Sequence, residues 1–476
     1  VMEQWMSVSR GARVETLEVA EDFSLPDYVP EVRRVLGVQR DATADNGFRD
    51  GATYLQEGNI AYTVFYLGED GQVTSVPLNA AYSAKIPLPE DFDAADGLLV
   101  TWDLDSVTCR VTSPRRLSLS AKLRIQTVAA GGTDVSCKRS GEHADSVVLR
   151  HETIQNVHLS TMRHTATAEQ TVRERAGVRV AGASGNLCVQ DGKMTPNGLR
   201  VVGEASVLLL AVGDDGAPYP IRSRCAIEET IPQRTDGENV GITAFAHPAA
   251  ITVDCGDDGT ITWHMEYDLH VMAAKTGETE ADIDGYSTAS GEECATKTLS
   301  ALYPCGVVCG RVTLTGDKES TAAGEFVYGF GRGQIERVEC AGGRLVCTGT
   351  ANITVFLRGE EWTVEECALP LRFETGVPAT ESGEPISAMH VTICDVSCRS
   401  DNGALHVTAE AAIDGVVCLE AEKTVLESLT TTAPLPSKKP RVTICVPDGS
   451  ETEWDVRKSH RVEEVTETAG RYVIVE

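Results

Sequence analysis

Apolar and polar residues alternate with a period of two in a stretch that the chain contains three times: residues 58–66 (GNIAYTVFY), 203–211 (GEASVLLLA) and 349–357 (GTANITVFL), which start 145 and 146 residues apart. Ile60, Tyr62, Val64 and Tyr66 share one face of a pleated strand. So do Ala205, Val207, Leu209 and Ala211, and so do Ala351, Ile353, Val355 and Leu357. Each set can therefore be buried together. The opposite face carries one large apolar residue per copy, Phe65, Leu210 and Phe356, which predicts contact with a second layer or a neighbouring copy. Ten residues after each leading glycine stands another, Gly68, Gly213 and Gly359, followed by acidic pairs, Glu69-Asp70, Asp214-Asp215 and Glu360-Glu361. That is turn chemistry between paired strands. Ile86-Pro87, Ile231-Pro232 and Val377-Pro378 follow at one common offset, where proline, lacking a ladder donor, closes the returning strand. Markers at fixed offsets, three times over, define a tandem repeat with Gly58, Gly203 and Gly349 as its structural glycines.

The rest of the chain extends this reading. Residues 13–24 alternate weakly as an opening strand, and EVRRVL at 31–36 reads as a short helix after two framing prolines. Leu117, Leu119, Ala121, Leu123 and Ile125 alternate cleanly; so do Ile261, Trp263, Met265, Tyr267, Leu269 and Val271, and Leu405, Val407, Ala409 and Ala411. Residues 129–141 read as a break of small and polar residues, 144–175 as strands mixed with turns, and 275–297 as an acidic linker. APLPSKKP at 433–440 is a second linker. Almost nothing has helical periodicity. The expected fold is all-β, as tandem β-sandwich or barrel-like repeats in three related units, 10–135, 145–276 and a Cys-rich 298–432, with a separate tail at 441–476.

Composition narrows the function. A chain of 476 residues with 42% hydrophobic content is long enough for several cored domains. A net charge of −29 argues against nucleic acid or an anionic membrane as partner. The longest apolar run, near residues 207–212, is too short for a bilayer span. No secretory leader is read in VMEQWMSVSRGARVE, so reduced thiols are the default expectation for the 15 cysteines. For the pairs Cys305-x-x-x-Cys309 and Cys394-x-x-x-Cys398, unlinked thiols rank first, inter-chain or inter-repeat disulfides second and zinc third; the odd count makes the same four the first candidates for any exposed, cross-linking thiols.

Catalytic signatures are missing from the sequence. It contains no nucleophile elbow, phosphate loop, HExxH or zinc-finger spacing. GFGRG at 329–333 lacks the strand-to-helix setting of a dinucleotide site, and Asp282 with Asp284 lacks a calcium-loop frame. His264 and His270, on or beside a strand, read as structural. The expectation is a non-enzyme with no cofactor and no metal.

LPDYVPEVRRVLGV at 25–38, followed by GNIAYTVFYLGEDGQVTSVPL at 58–78, resembles the SPOCS domain of SipL-like spore coat morphogenetic proteins of clostridial-type bacteria. The opening falls on Leu25, Pro26, Asp27 and Pro30; the second and third copies keep the hairpin without it. Such proteins end in a LysM module, and GSETEWDVRKSHRV at 449–462 places Trp454 and Asp455 where its first half has them. No second helix follows, so the tail reads as a degenerate LysM-like remnant, with ETEWDVRKSH opening a helix. The resemblance implies a structural, self-assembling protein of the spore coat or exosporium. It would form in the mother-cell cytoplasm, end on the spore surface, and dock on other coat proteins, the ATPase of the coat's basement layer among them, through Trp454 and Asp455. The alternative is a β-sandwich protein that binds cell-wall peptidoglycan through the tail.

Overall fold

A computed structural model describes residues 4–93, 96–141, 147–213, 216–232, 239–287, 292–320, 324–378, 381–401 and 403–431, and four short tail strands within 441–475. Every regular element among them is a strand. In chain order the first are β1 (Trp5–Ser24), β2 (Val32–Asp50), β3 (Thr53–Gly68), β4 (Val73–Pro87), β5 (Gly97–Ser113), β6 (Arg116–Asp134) and the short β7 (Lys138–Gly141). β8 (Val147–Arg173), β9 (Arg179–Thr195), β10 (Gly198–Val212), β11 (Pro218–Ile231), β12 (Val240–Cys255) and β13 (Thr260–Ser287) follow. Then come β14 (Glu292–Glu319), β15 (Glu325–Ala341), β16 (Arg344–Arg358), β17 (Trp362–Gly376), β18 (Glu384–Asp401) and β19 (Ala404–Thr431). The tail holds β20 (Arg441–Cys445), β21 (Glu451–Asp455), β22 (Glu464–Thr468) and β23 (Arg471–Val475).

One connectivity recurs. β2-β3-β4, β9-β10-β11 and β15-β16-β17 are three-stranded antiparallel meanders with the patterned stretch on the middle strand. Around each, the strand before and the two after build a second sheet, in the orders β1-β6-β5, β8-β13-β12 and β14-β19-β18. The first and third of these join through a single bridge between Val8 and Ala301, and β7 adds in parallel to β19.

Alternation decides what lies between the sheets. Ile60, Tyr62, Val64 and Tyr66 of β3 pack in one core with Leu117, Leu119, Ala121, Leu123 and Ile125 of β6. The β10 set packs with Ile261 to Val271 of β13, and the β16 set with Leu405 to Ala411 of β19. These are face-to-face sheet packings, each closed by the inward halves of two alternating strands. The opposite-face residues meet one another: Phe65, Leu210 and Phe356 share a single cluster with Leu36, Ala181 and Val327. The turn glycines behave as their chemistry requires, with Gly71 NH and Gly216 NH bonded back to the carbonyls of Gly68 and Gly213.

The leading glycines have a steric cause. Each pairs with the residue just before an extra residue in the neighbouring strand: Gly58 with Ala44 before Asp45, Gly203 with Val189 before Gln190, Gly349 with Ile335 before Glu336. Such a bulge bends the strand and presses a carbonyl toward the middle strand. A Cβ would lie 1.9 Å from the Thr43 oxygen at Gly58, 2.6 Å from the Cys188 oxygen at Gly203 and 1.9 Å from the Gln334 oxygen at Gly349. No side chain fits there.

Several local expectations are corrected. Residues 32–36 of EVRRVL are the start of β2, since Val32 and Val35 pair with Gly68 and Tyr66 of β3 and six residues cannot hold a helix alone. Residues 147–173 form one strand rather than strands and turns, and the acidic 275–287 continues β13 against it. Ladder bonds there do not depend on side chains, so most of the polar residues, Asp282 excepted, remain at least partly solvated while the backbone is paired. Residues 129–134 likewise continue β6. In the tail, Glu451–Asp455 is a strand paired with Arg441–Cys445, not the opening of a helix; Thr452 and Trp454 are strand-favouring residues. Trp454 pairs with Val442 and Asp455 with Arg441, and the surroundings of their side chains lie outside the described residues.

Candidate functional site: a polar cavity between the sheet pairs

β5, β12 and β18 occupy the same place in their three sheets, and each has one extra residue near its middle, Asp105, Ala249 and Cys394. The residues just before these bulges point together. Trp102 of β5, Phe245 and His247 of β12, His270 of β13 and His390 of β18 form one ring cluster. The His390 ring lies over Phe245 at 4.4 Å, and the His247 ring over Trp102 at 5.1 Å. Trp102 Nε1 donates to the Ala42 carbonyl at 2.7 Å, which fixes the indole as the wall against which the imidazoles sit.

Carboxylates surround these rings. His247 Nδ1 lies 2.7 Å from Asp41 Oδ1, and His390 Nδ1 lies 3.7 Å from Asp103 Oδ1. Burial disfavours the charged form of His247, but Asp41, then Asp103 and Asp268, outweigh it and hold its pKa above the ordinary value. His270 and His390 are pushed well below theirs by burial and by the charge on His247. Burial pushes Asp103 up to about 7, against the pull of His247 and the nearby arginines. Asp268 is held by Arg163 at 2.8 Å and by the Thr165 hydroxyl at 2.6 Å.

Beside the cluster lies a cavity of about 360 Å³ to which all three sheet pairs contribute, with Arg40, Asp103, His247, Arg332, Glu366 and His390 in its walls. Five buried polar atoms of its lining lack a hydrogen-bond partner: Arg40 Nε, Arg332 Nε, His247 Nε2, His390 Nδ1 and Thr392 Oγ1. Buried polar groups are almost always satisfied, so this concentration sets the cavity apart from the apolar interiors of the sheet pairs. Burial and the facing charge of Arg332 lower Arg40 to about 10. The arrangement can hold and orient a charged molecule. Among the described residues no three His, Cys, Asp or Glu side chains are grouped as metal ligands.

The thiols singled out by spacing are not brought together on the surface. Cys305 and Cys398 are buried, and Cys394 is bonded to Cys188 of β9, Cα atoms 6.5 Å apart. Cys309 is exposed, but its sulfur lies near the Val189 and Gln190 carbonyls, and its pKa is pushed up to about 12 by burial and Asp414. A thiol so held is a poor nucleophile. The expectation of unlinked thiols fails at Cys188 and Cys394, where the link joins β9 to β18. Cys188 precedes Val189, the partner of Gly203, and Cys394 is itself the extra residue of β18; nothing in their separation of 206 residues announces the contact. Among the described residues the exposed cysteines are Cys255, Cys294 and Cys309. His264 is an exposed partner of Glu169 and Asp254, whereas His270 belongs to the ring cluster with Nε2 unpartnered. Asp282 is buried and paired with His151 at 2.6 Å. The residues that sequence reasoning missed are Arg40, His247, Arg332 and His390, which no motif connects.

Comparison with known proteins adds no relative. No family model, curated protein or solved structure matches the chain. No helix among the described residues is long and apolar enough to cross a membrane.

Proposed function

We propose that the chain is a non-enzymatic structural protein of a bacterial spore coat or exosporium, built from three copies of one β-sandwich repeat and joined to other coat proteins and to copies of itself. The observation that carries the reading is the recurrence of one six-strand connectivity three times, with Gly58, Gly203 and Gly349 at one register position. Its interior serves packing: the repeats meet on a shared apolar cluster and across a disulfide. The SPOCS-like opening at residues 25–38 supplies the link to the coat, and it is an inference from resemblance. Cys255, exposed in the structure, replaces the buried candidates as a cross-linking thiol once the mother cell lyses. The tail, with Trp454 and Asp455, is the docking element toward the basement-layer ATPase.

A fluorescent fusion expressed in sporulating cells should encircle the forespore, and deletion of residues 441–476 should leave the signal diffuse. A full-length fusion that never localises would end the coat reading; a truncated one that still encircles the forespore would end only the docking role of the tail. Mature spores should release more of the protein with reductant than without, and the difference should shrink in a Cys255→Ser variant.

A further inference from the structure

We infer that the cavity between the three sheet pairs binds a small molecule carrying oxyanion groups, a polycarboxylate or a phosphate ester, held by Arg40 and Arg332. The inference is independent of the coat reading and rests on the cavity alone.

The chain holds 71 acidic residues against 42 basic ones, so an arginine has carboxylates in easy supply. Nearly all the described arginines either take one, as Arg10, Arg115, Arg163, Arg222, Arg224 and Arg344 do within 4.0 Å, or lie exposed to water. Arg40 and Arg332 do neither. They line one cavity, their Nε atoms are buried without a hydrogen-bond partner, no ion pair within 4.0 Å reaches either side chain, and the charge of Arg332 lowers the pKa of Arg40. Two like charges brought together out of water cost free energy unless something of opposite sign joins them.

The nearby acids do not fill that role. Asp41 is taken by His247 Nδ1 and by the Ala42 amide. Asp103, pushed up to about 7, carries only part of its charge near neutral pH. Glu366 acts on both arginines through space, and Asp105 acts more strongly on Arg332, but neither acid forms an ion pair with them within 4.0 Å. Guanidinium groups offer forked donors that match carboxylate and phosphate oxygens two at a time.

The remaining wall supplies orientation. His247 and His390, 4% and 5% exposed, each keep a ring nitrogen without a hydrogen-bond partner, and the Thr392 hydroxyl likewise lacks one. These can pair with hydroxyl or further oxyanion groups of the occupant. The volume, about 360 Å³, falls at the small end of ligand sites and suits a molecule the size of citrate or a hexose phosphate rather than a nucleotide. Because all three sheet pairs contribute to the wall, an occupant would tie them together, and its binding would add to their stability.

The test is titration calorimetry and thermal unfolding of the full chain with citrate, glucose 6-phosphate and sulfate, with sodium chloride holding ionic strength constant. At least one of citrate and glucose 6-phosphate should bind saturably and raise the melting temperature, and the stronger of the two identifies carboxylate or phosphate as the recognised group. Arg40→Gln and Arg332→Gln should each weaken that binding at least tenfold, Arg332→Lys should weaken it less, and Arg372→Gln, on the surface beside Glu374, should change nothing. Failure of both organic anions to bind at millimolar concentration overturns the proposal, as does binding that the glutamine variants leave intact or that sulfate matches at equal strength. Should both glutamine variants unfold, hydrogen exchange of the wild-type chain with and without anion decides: protection centred on β5, β12 and β18 supports the site, and protection elsewhere refutes it.

Discussion

The rings of Phe65 and Phe356 meet edge to face, 5.4 Å between centroids, although they come from the first and third copies of the patterned strand. With Leu210 of the second copy they lie in the cluster that closes the space between the meanders. Both rings are fully buried, so truncation leaves a void that neighbours on three sheets cannot easily collapse into. Phe65→Ala should lower the first unfolding transition by about 4 kcal/mol in urea. Phe330→Ala, at the partly buried margin of the same cluster, should lower it less. A loss below about 1 kcal/mol for Phe65→Ala would mean that the cluster does not hold the sheets together.

Glycine at the bulge-facing position should resist the smallest possible change. Gly58→Ala and Gly349→Ala put a methyl group 1.9 Å from a carbonyl oxygen, and the strands must separate to admit it. Each should cost about 3 kcal/mol. Gly277→Ala in β13, where a Cβ meets nothing within 4 Å, should be within about 0.5 kcal/mol of neutral or slightly stabilising. Equal effects at the three positions would contradict the steric account.

The disulfide between Cys188 and Cys394 closes a loop of 206 residues. A chain-entropy account assigns such a link about 5 kcal/mol. Reductant should therefore lower the melting temperature of the wild-type chain and leave a Cys188→Ser/Cys394→Ser variant unmoved, and the oxidised protein should yield the linked peptide pair on digestion. Insensitivity of the wild type to reductant would remove the link from the stability of the fold.

Asp414 is wholly buried, accepts a hydrogen bond from the Thr243 hydroxyl at 3.0 Å, and has its pKa pushed up to about 7 by burial. The folded value lies above the unfolded one, so the folded state binds the extra proton between about pH 4 and pH 7, and stability falls as pH rises through that window. Above it the penalty is on the order of 4 kcal/mol. Asp414→Asn should stabilise the protein at pH 8 and do little at pH 4. Paired urea melts at the two values check this, and the same gain at both would show that the group does not titrate in the fold.

Alternation in the sequence was enough to determine the strands and their inward faces. Ile60 to Tyr66, Leu117 to Ile125 and Ile261 to Val271 can hide their apolar sides only by facing another sheet, whatever the partner is. The glycine-acid-acid turns likewise needed no more than local chemistry. Short-range reasoning failed where pairing overrode composition: residues 275–287 are acidic yet continue a strand because β8 supplies their backbone bonds, and residues 451–455 pair with 441–445 instead of winding. The position opposite the buried face foretold contact with a second layer or another copy, but not that all three copies would converge on Phe65, Leu210 and Phe356. Only the tertiary structure decided where the bulges of β5, β12 and β18 would lead. Cys188 and Cys394, Arg40 and Arg332, and His247 and His390 carry no mutual spacing, since residues on different sheets meet by rotation of whole layers. Charge and burial at their meeting place are properties of that arrangement, and no stretch of the chain contains them.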